Sequence, residues 1–178
     1  LVGDGMADYP IEELGMRTPL EAARTPNMDF IAKNGTLGQA KTIPDKMTPA
    51  SDVANLSILG YDPKKYYSGR GPLEAVNLGI KLEEDDVAFR CNLITVTDDT
   101  LLDYSAGHIK STEAEKLIKF LDQKLGTNKM RFFNGISYRH LLLVKRGAEL
   151  KLQNLKCLAP HDIAGQSIKG NLPKGDNA

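Results

Sequence analysis

The sequence predicts an α/β protein whose two main parts differ in construction. Over residues 1–82, short apolar runs alternate with helix-start signals in the order strand, helix, strand, helix, which is typical of layered α/β folds. From about residue 85, strand-like runs flank one amphipathic helix in the order strand–strand–helix–strand–strand. We therefore expect an N-terminal core part over 1–82, a smaller inserted α+β domain over 83–163, and a linker over 164–178.

Two strands are predicted in the first part. The opening run Leu1 to Gly3 is apolar and starts abruptly, so we expect the end of a buried strand there. The run TLGQAKT, residues 36–42, predicts a second, short strand.

Three helices are predicted from their start signals. In TPLE, Thr18 and Glu21 fit a capping box around a proline at the first helical position. The same Thr-Pro start recurs at Thr25, ahead of a helix expected to end at Gly35. A third helix is expected to begin near Ser51.

The second part contains strands and one clear helix. Two strand-like runs, VAFRCNLITVTDD and TLLDYSA, meet at an Asp98-Asp99 turn signal. The segment STEAEKLIKFLDQKLG predicts a helix with Thr112 and Glu115 as its capping box. The segment MRFFNGISYRHLLLVKRG predicts a hairpin that turns at Asn134-Gly135, and LKLQNLKCLAP predicts a last short strand.

The amino-acid composition bears on which classes of binding partner are expected. The 23 basic and 23 acidic residues cancel, so no basic excess points to a nucleic acid or an anionic membrane. No apolar run approaches the roughly 20 residues of a membrane span, and no signal-peptide pattern occurs. The two cysteines, Cys91 and Cys157, predict buried thiols in a reducing compartment, so a cytoplasmic protein is expected. The abrupt start and the polar end NLPKGDNA lead us to expect a piece of a larger protein.

Asp4 and Ser51 are the sharpest candidates for chemistry. Asp4 follows the first predicted strand between two glycines, where a carboxylate suits a hard divalent cation; a simple Gly-Asp-Gly turn is the alternative. Ser51, followed by Asp52, fits a helix N-cap. The same position also suits a phosphate-transferring serine, because the helix end favours anions and a cation can activate the hydroxyl.

Three arginines are candidates for binding an anion. Arg70 lies between glycines, while Arg90 and Arg139 lie inside strand-like runs, where an unpaired charge is costly. Guanidinium groups bind phosphate or carboxylate in a bidentate manner. The alternative is an edge strand or an outward face. His161 in APHDIAG is the leading histidine candidate and His140 comes next, and no histidine pair has metal-ligand spacing.

Four segments together resemble one enzyme family. VGDGMAD, RTPNMDFIAKNG, ASDVANLSILGYDP and GRGPLEA are similar to the archaeal-type, cofactor-independent phosphoglycerate mutases of the alkaline phosphatase superfamily. The resemblance continues through FRCNL, DYSAGHI, SYRH and PHDI of the inserted part. It implies a partial alkaline phosphatase-like α/β/α sandwich with a smaller α/β domain inserted after the nucleophile segment. A sandwich without its later strands exposes an apolar face, so association, as in a homo-oligomer, or disorder is expected.

The resemblance also implies roles for individual residues. Asp4 matches a metal-binding aspartate, and Ser51 matches the nucleophile that becomes phosphoserine while sharing a metal. Two divalent ions, Mn²⁺, Mg²⁺ or Zn²⁺, would serve the transfer of phosphate between the hydroxyls of a phosphoglycerate, the expected small-molecule partner. The residues assigned to substrate binding are Asn55, Arg70, Arg90, Arg139, His161 and Asp162.

One departure from the family pattern is large. The family's remaining metal ligands lie in Asp-His motifs of the C-terminal half, and the chain stops before such a motif. We therefore expect this polypeptide alone to be inactive. Two other functions stay open: a related phosphotransferase, such as a homoserine kinase-like or phosphonopyruvate-related enzyme, and a non-catalytic anion-binding domain.

Overall fold

The computed structural model describes residues 1–175 and divides the chain into two units. The first unit is Leu1–Tyr67 and the second begins at Ser68. The protein is a mixed α/β protein with small antiparallel sheets, and all five strands of the described residues lie in the second unit. The layered sandwich and the predicted domain limits at residues 82 and 163 stay predictions.

The first unit consists of short helices joined by irregular segments. The capping box at the first helix is confirmed, because the Glu21 backbone N–H donates to Thr18 Oγ1 at 3.2 Å and the Thr18 N–H donates to Glu21 Oε2 at 2.8 Å. Thr25 makes no cap and instead donates its hydroxyl to Asp29 Oδ1. The helices are α1 (Pro19–Ala22), α2 (Pro26–Asn34), α3 (Ser51–Ile58) and α4 (Pro63–Tyr66).

The two strands predicted in the first unit are wrong. Leu1 to Gly3 and the segment 36–42 have irregular, mostly exposed backbone. A strand needs a neighbouring strand to pair its N–H and C=O groups. Within the described part of the first unit, no such neighbour is present, so the apolar runs do not form a ladder.

The second unit is organised around a three-stranded antiparallel sheet. Its strand order is β1-β5-β4, and a separate hairpin is formed by β2 and β3. The turn of this hairpin is confirmed at Asp98 and Asp99, which have φ angles of 48° and 68°. The strands are β1 (Val87–Asn92), β2 (Thr95–Thr97), β3 (Thr100–Asp103), β4 (Met130–Ile136) and β5 (Arg139–Val144), and the helices are α5 (Arg70–Asn77) and α6 (Ser111–Leu125).

Helix α5 packs against one face of the sheet and forms the core of the second unit. Ala75 of α5 is fully buried against Ala88 of β1 and Leu141 and Leu143 of β5. The approach is close at Gly71, where a Cβ atom would lie 1.8 Å from the Ala88 carbonyl oxygen. Glycine at this position therefore allows the first turn of α5 to rest directly on the β1 backbone.

Helix α6 protects the edge strand β4 through Asp122. The Phe132 backbone N–H donates to Asp122 Oδ1 at 2.9 Å, and Arg131 Nη2 donates to Asp122 Oδ2 at 2.8 Å. These hydrogen bonds satisfy a strand-edge donor that would otherwise be open to pairing. The bonds from Arg131, followed by the Phe132 N–H, lower the pKa of Asp122 below its usual value near 3.8.

Asp122→Asn is expected to destabilise the protein at pH 7 but not in strong acid. Because the folded-state pKa is lowered, the stabilising contribution is present above the usual pKa and is lost as pH falls through the folded-state value. Thermal unfolding from pH 7 to pH 2 should show the gap between wild type and variant closing below about pH 4. Gln123→Asn, a neighbouring change without charge, should show no such closing, and a gap independent of pH would contradict the assignment.

Three further predictions in the second unit are corrected. The β4–β5 hairpin turns at Ser137-Tyr138 instead of Asn134-Gly135, because the register shifts after Phe133. Helix α6 has Lys110 at its N-cap and no side-chain cap, so the box of Thr112 and Glu115 does not form. The segment 150–160 forms 3₁₀ turns and an isolated bridge instead of a strand.

Over residues 1–175, none of the helices combines the length and the apolar character needed to cross a bilayer.

Candidate functional site

Ser51 is the first residue of α3 and lies just inside the helix. Ala50 occupies the N-cap position, with φ −159° and ψ 146°, and supplies no side-chain cap. The capping explanation for Ser51 is therefore wrong, because the hydroxyl does not cap the helix. Consequently the first-turn N–H groups of α3 carry no cap from the Ala50 side chain and remain available as donors, while Asp52 adds a negative charge to the same turn.

The Ser51 hydroxyl contacts Asp4. Ser51 Oγ donates to Asp4 Oδ1 at 3.2 Å, although the residues are 47 positions apart in the sequence. Asp4 lies in a turn with Gly5, whose φ of 71° favours glycine. Both side chains are exposed, and Asn55 is exposed one helical turn after Ser51. The structure thus brings Asp4 and Ser51 together, and their chemical roles stay predictions.

Helix α3 is held in place by buried side chains and by a hydrogen bond from Tyr67. Val53 is buried, and Tyr67 donates its hydroxyl to Asp52 Oδ2 at 2.5 Å. Pro63 at the start of α4 is also buried, and α4 contacts α3. These contacts hold the helix that carries Ser51, and Asp52 is a structural partner of Tyr67.

The donor set around Ser51 suits a hard cation in part. A carboxylate and a hydroxyl oxygen are ligands that Mg²⁺ and Mn²⁺ accept. Over the described ranges, no group of three or more His, Cys, Asp or Glu side chains is arranged to hold a metal ion. Asp4 and Ser51 therefore fit as contributors to a metal site but do not complete one.

A second cluster of polar groups lies at one end of the sheet in the second unit. Asn92 pairs with Arg139 across β1 and β5, and Arg90 pairs with Leu141. Directly paired residues share a face, so Arg90, Asn92 and Arg139 lie on the face that packs against α5. The sheet face therefore has an apolar end at the core and a cationic end beyond it.

Positive charge exceeds negative charge among the side chains named at this cationic end. Burial, followed by the positive charge of Arg139, lowers the pKa of half-buried Arg90; Glu74 opposes this shift and Arg70 adds to it. Among the described residues, neither Arg90 nor Arg139 forms a salt bridge. Glu74 offsets part of this positive charge, and a further anion is favoured as the counter-charge of the two neighbouring guanidinium groups.

Two buried polar atoms support a binding role for this region. Arg90 Nε and Asn92 Oδ1 are buried and lack a hydrogen-bond partner within the described chain. A cavity of about 270 Å³ in the same unit is lined in part by Glu74, Tyr138 and Arg139. Buried polar atoms normally have partners, so these two atoms point to a ligand group that satisfies a donor and an acceptor.

His161 and Asp162 lie in the same unit. His161 is in a 3₁₀ turn, Pro160–Asp162, with Nε2 at 3.5 Å from Asp162 Oδ1. Its ring packs edge-on against Tyr104, and Tyr104 packs edge-on against Tyr138, with ring centroids 6.1 Å and 6.0 Å apart. A chain of rings therefore connects His161 to the residue next to Arg139.

Three residues of this region were not predicted from the sequence, and one predicted functional candidate, His140, has a different environment from the one expected. No sequence motif pointed to Asn92, Glu74 or Tyr138, although Asn92 lies two positions after Arg90 and Tyr138 directly precedes Arg139. His140 is only 3% exposed and accepts a hydrogen bond from the Gly135 N–H at Nδ1, while burial lowers its pKa. His140 is therefore a buried residue of the β4–β5 bulge, and its Nε2 has no hydrogen-bond partner within the described residues.

Comparison with known proteins finds a family model that matches most of the chain. The family model described as 2,3-bisphosphoglycerate-independent phosphoglycerate mutase matches residues 32–178. A relative with that name from Methanosarcina mazei is 60% identical over 177 residues, which cover 98% of this chain and 43% of the relative. One from Methanothrix thermoacetophila is 51% identical over 178 residues, which cover 100% of this chain and 44% of the relative.

A solved structure from Pyrococcus horikoshii is similar in fold. It is 33% identical, with a TM-score of 0.63, over 90% of this chain and 42% of that chain. The chain thus spans less than half the length of these relatives. Since the family model covers most of its residues, the chain belongs to the 2,3-bisphosphoglycerate-independent phosphoglycerate mutase family.

Proposed function

We propose that the complete protein, the polypeptide in which this chain occurs, interconverts 3-phosphoglycerate and 2-phosphoglycerate through a phosphoserine at Ser51. The observation that carries this proposal is the Ser51–Asp4 hydrogen bond at the uncapped end of α3. Membership of the phosphoglycerate mutase family supports phosphoglycerate as the proposed substrate. The relatives bear this activity in their names, and it is proposed for the complete protein because the chain spans less than half of them.

The proposed reaction consists of two displacements. Ser51 Oγ attacks the phosphorus, a bond between Oγ and phosphorus forms, and the bond from phosphorus to the glycerate oxygen breaks. The Ser51 hydroxyl proton passes to solvent by way of Asp4 Oδ1, which accepts it in a hydrogen bond, and the departing glycerate oxygen takes up a proton from solvent. After the glycerate reorients, the oxygen of its other hydroxyl attacks the phosphorus and forms a new bond to it, and the bond between Ser51 Oγ and phosphorus breaks. The attacking hydroxyl loses its proton to solvent, and Ser51 Oγ regains one.

The residues around Ser51 prepare this displacement. Asp4 Oδ1 accepts the hydroxyl hydrogen and thereby orients the Oγ lone pairs. The first turn of α3 presents N–H groups and the positive helix end to the transferring phosphoryl group. Asp4 and Ser51 would hold one of the divalent ions, Mn²⁺, Mg²⁺ or Zn²⁺, whose chemistry is to stabilise the serine alkoxide. Asn55, on the same face of α3, is proposed to contact the phosphate.

The cationic end of the second unit is proposed to bind the anionic groups of the substrate. Arg90 and Arg139 supply paired guanidinium donors, and Arg70 adds positive charge. Asn92 Oδ1, a buried acceptor, suits a hydroxyl of the glycerate. His161 and Asp162 are proposed to line the same region. In this view the second unit contains the substrate-binding insert, and a cytoplasmic location suits the metabolite.

The proposed function is tested by assay of the purified complete protein. With added Mn²⁺ and without 2,3-bisphosphoglycerate, 3-phosphoglycerate should be converted to the 2-isomer. Rapid acid quenching followed by mass spectrometry should find phosphate on Ser51. Nucleotide-dependent phosphorylation of homoserine with no mutase activity would instead support the kinase-like alternative, and tight phosphate binding without phosphoserine would support a binding domain.

Arg90→Ala in the complete protein is expected to raise KM for 3-phosphoglycerate about 10- to 100-fold. The estimate follows from the loss of roughly 1.5–3 kcal/mol for hydrogen bonds to a charged partner. Steady-state kinetics with 3-phosphoglycerate would measure the change. Arg146→Ala is the matched control, since this exposed arginine pairs with Glu149 at the other end of the strands, and equal effects of both changes would contradict the assignment.

We propose further that residues 1–178 expressed alone are inactive. Asp4 and Ser51 contribute only part of a metal-ligand set within the described residues. A side-by-side assay of this chain and the complete protein, both with Mn²⁺, compares their turnover. Mutase activity of the shorter polypeptide would overturn this proposal.

A further inference from the structure

Tyr138 contacts the arginine that lies closest to it in the sequence. Arg139 Nε and Nη2 both donate to the Tyr138 hydroxyl oxygen, at 3.3 Å and 3.1 Å. The Arg139 guanidinium also lies over the Tyr138 ring, with its central carbon 5.2 Å from the ring centroid. Two hydrogen bonds and a cation–π contact therefore act on one guanidinium group.

The position of Arg139 needs such support because it is unfavourable on its own. Arg139 and Arg90 are close enough for one positive charge to lower the pKa of the other. Arg139 is exposed and has no carboxylate partner among the residues that the structure describes. A long exposed side chain next to a like charge would move into solvent unless another group held it.

Tyr138 is itself held by its neighbours. Its ring packs edge-on against Tyr104 at 6.0 Å and against His108 at 6.5 Å, measured between ring centroids. Tyr138 also occupies the tight two-residue turn between β4 and β5, next to Ser137, whose N–H donates to Ser111 Oγ of α6. The hydroxyl oxygen that accepts from Arg139 is thus placed by packing on two sides and by the turn.

From these contacts we propose that Tyr138 is a positioning residue that holds the Arg139 guanidinium beside Arg90, so that both guanidinium groups face one anionic group of the substrate. Tyr138 accepts hydrogen bonds from Arg139 and acts on the anion through it. The proposal rests on the proposed function for the identity of the ligand, a phosphorylated hydroxy acid. The arrangement of Tyr138 and Arg139 is independent of the chemistry at Ser51.

The test is a double-mutant cycle on ligand binding in the complete protein. Tyr138→Phe keeps the ring and removes the hydroxyl acceptor, while Arg139→Ala removes the group that it holds. In a Ser51→Ala background, which prevents turnover, titration calorimetry with 3-phosphoglycerate gives Kd for each protein. Tyr138→Phe should weaken binding about fivefold when Arg139 is present and leave Kd unchanged within about 1.5-fold when Arg139 is absent.

The matched control is Tyr104→Phe, which removes a hydroxyl from the adjacent ring and makes no change at Arg139. It should leave Kd unchanged, and circular dichroism should show all variants folded. An equal loss from Tyr138→Phe with and without Arg139, or no loss in either, would overturn the proposal. A loss with Tyr104→Phe as large as that with Tyr138→Phe would overturn it as well.

Failure of the positioning role differs from failure of the proposed function. The mutase function fails and the role of Tyr138 stands under one outcome. In that outcome the cycle shows the expected coupling between Tyr138 and Arg139 in 3-phosphoglycerate binding, but the protein with Ser51 intact does not isomerise 3-phosphoglycerate. If it isomerises 3-phosphoglycerate and the cycle shows no coupling, only the role of Tyr138 fails. If neither 3-phosphoglycerate nor inorganic phosphate binds, both proposals are overturned.

Discussion

Ser51→Ala in the complete protein is expected to lower kcat for phosphoglycerate isomerisation by about four orders of magnitude or more, the scale seen when an enzyme loses its nucleophile. The physical reason is that no other hydroxyl of α3 is placed against Asp4. Folding should be almost unaffected, because Ser51 is the first helical residue and Ala50 is at the N-cap. Steady-state kinetics and thermal unfolding measure the two effects separately.

The matched control for this change is Ser57→Ala in the same helix. The Ser57 backbone carbonyl accepts from the Gly60 N–H, a bond that alanine keeps. Activity of Ser57→Ala should stay within about twofold of wild type, as expected for a change that removes no contact to the reacting groups. Retained activity in Ser51→Ala, with loss of about 1 kcal/mol of stability, would instead fit a capping role.

Gly71→Ala is expected to lower the free energy of unfolding of the second unit by about 2–3 kcal/mol. The added Cβ would lie 1.8 Å from the Ala88 carbonyl oxygen and 2.5 Å from its carbonyl carbon, so backbone must move. Neither partner is a flexible side chain, which means that α5 or β1 has to shift. Chemical denaturation of the complete protein, followed by a probe placed in the second unit, would measure the loss.

Gly170→Ala is the control for this prediction. A Cβ atom at Gly170 would meet the Ser167 side chain at 3.7 Å, an ordinary contact. The change should alter stability by no more than about 0.5 kcal/mol. Because Arg70 and Glu74 belong to α5, a shift of this helix in Gly71→Ala should also weaken 3-phosphoglycerate binding. An unchanged unfolding midpoint would show that α5 does not rest on the β1 backbone.

The predictions from the sequence were correct where residues close together in the chain determine the structure. The capping box at Thr18, the helix that begins at Ser51 and the turn at Asp98 depend on residues only a few positions apart. The same local reasoning failed at Leu1 to Gly3, because a strand depends on a partner from elsewhere in the chain.

The predicted position of the turn between β4 and β5 was wrong for a different reason. Asn134-Gly135 is a strong turn signal, yet the structure uses Gly135 in a bulge, where a Cβ atom would lie 2.4 Å from the Arg139 carbonyl oxygen. The glycine is required for close packing of two backbones and not for the turn itself. The turn is formed at Ser137 and Tyr138, and Ser137 has a φ of 54°.

The candidate site was predictable to different degrees in the two units. Asp4 and Ser51 were identified from their positions at presumed element ends, and the structure places them in hydrogen-bonding contact. The presence of Arg90 and Arg139 in strand-like runs was visible, but their common face depends on strand register. Asn92 and Tyr138 became apparent only from an unsatisfied buried atom and from contacts to Arg139.

The contact between Ser51 and Asp4 closes a loop of 47 residues, and this has a consequence for folding. The entropy lost on closing a loop grows with the logarithm of its length, so one hydrogen bond cannot hold such distant positions together. The helices between them must pack before the pair assembles. The Ser51–Asp4 contact is therefore expected to form late in the folding of the first unit.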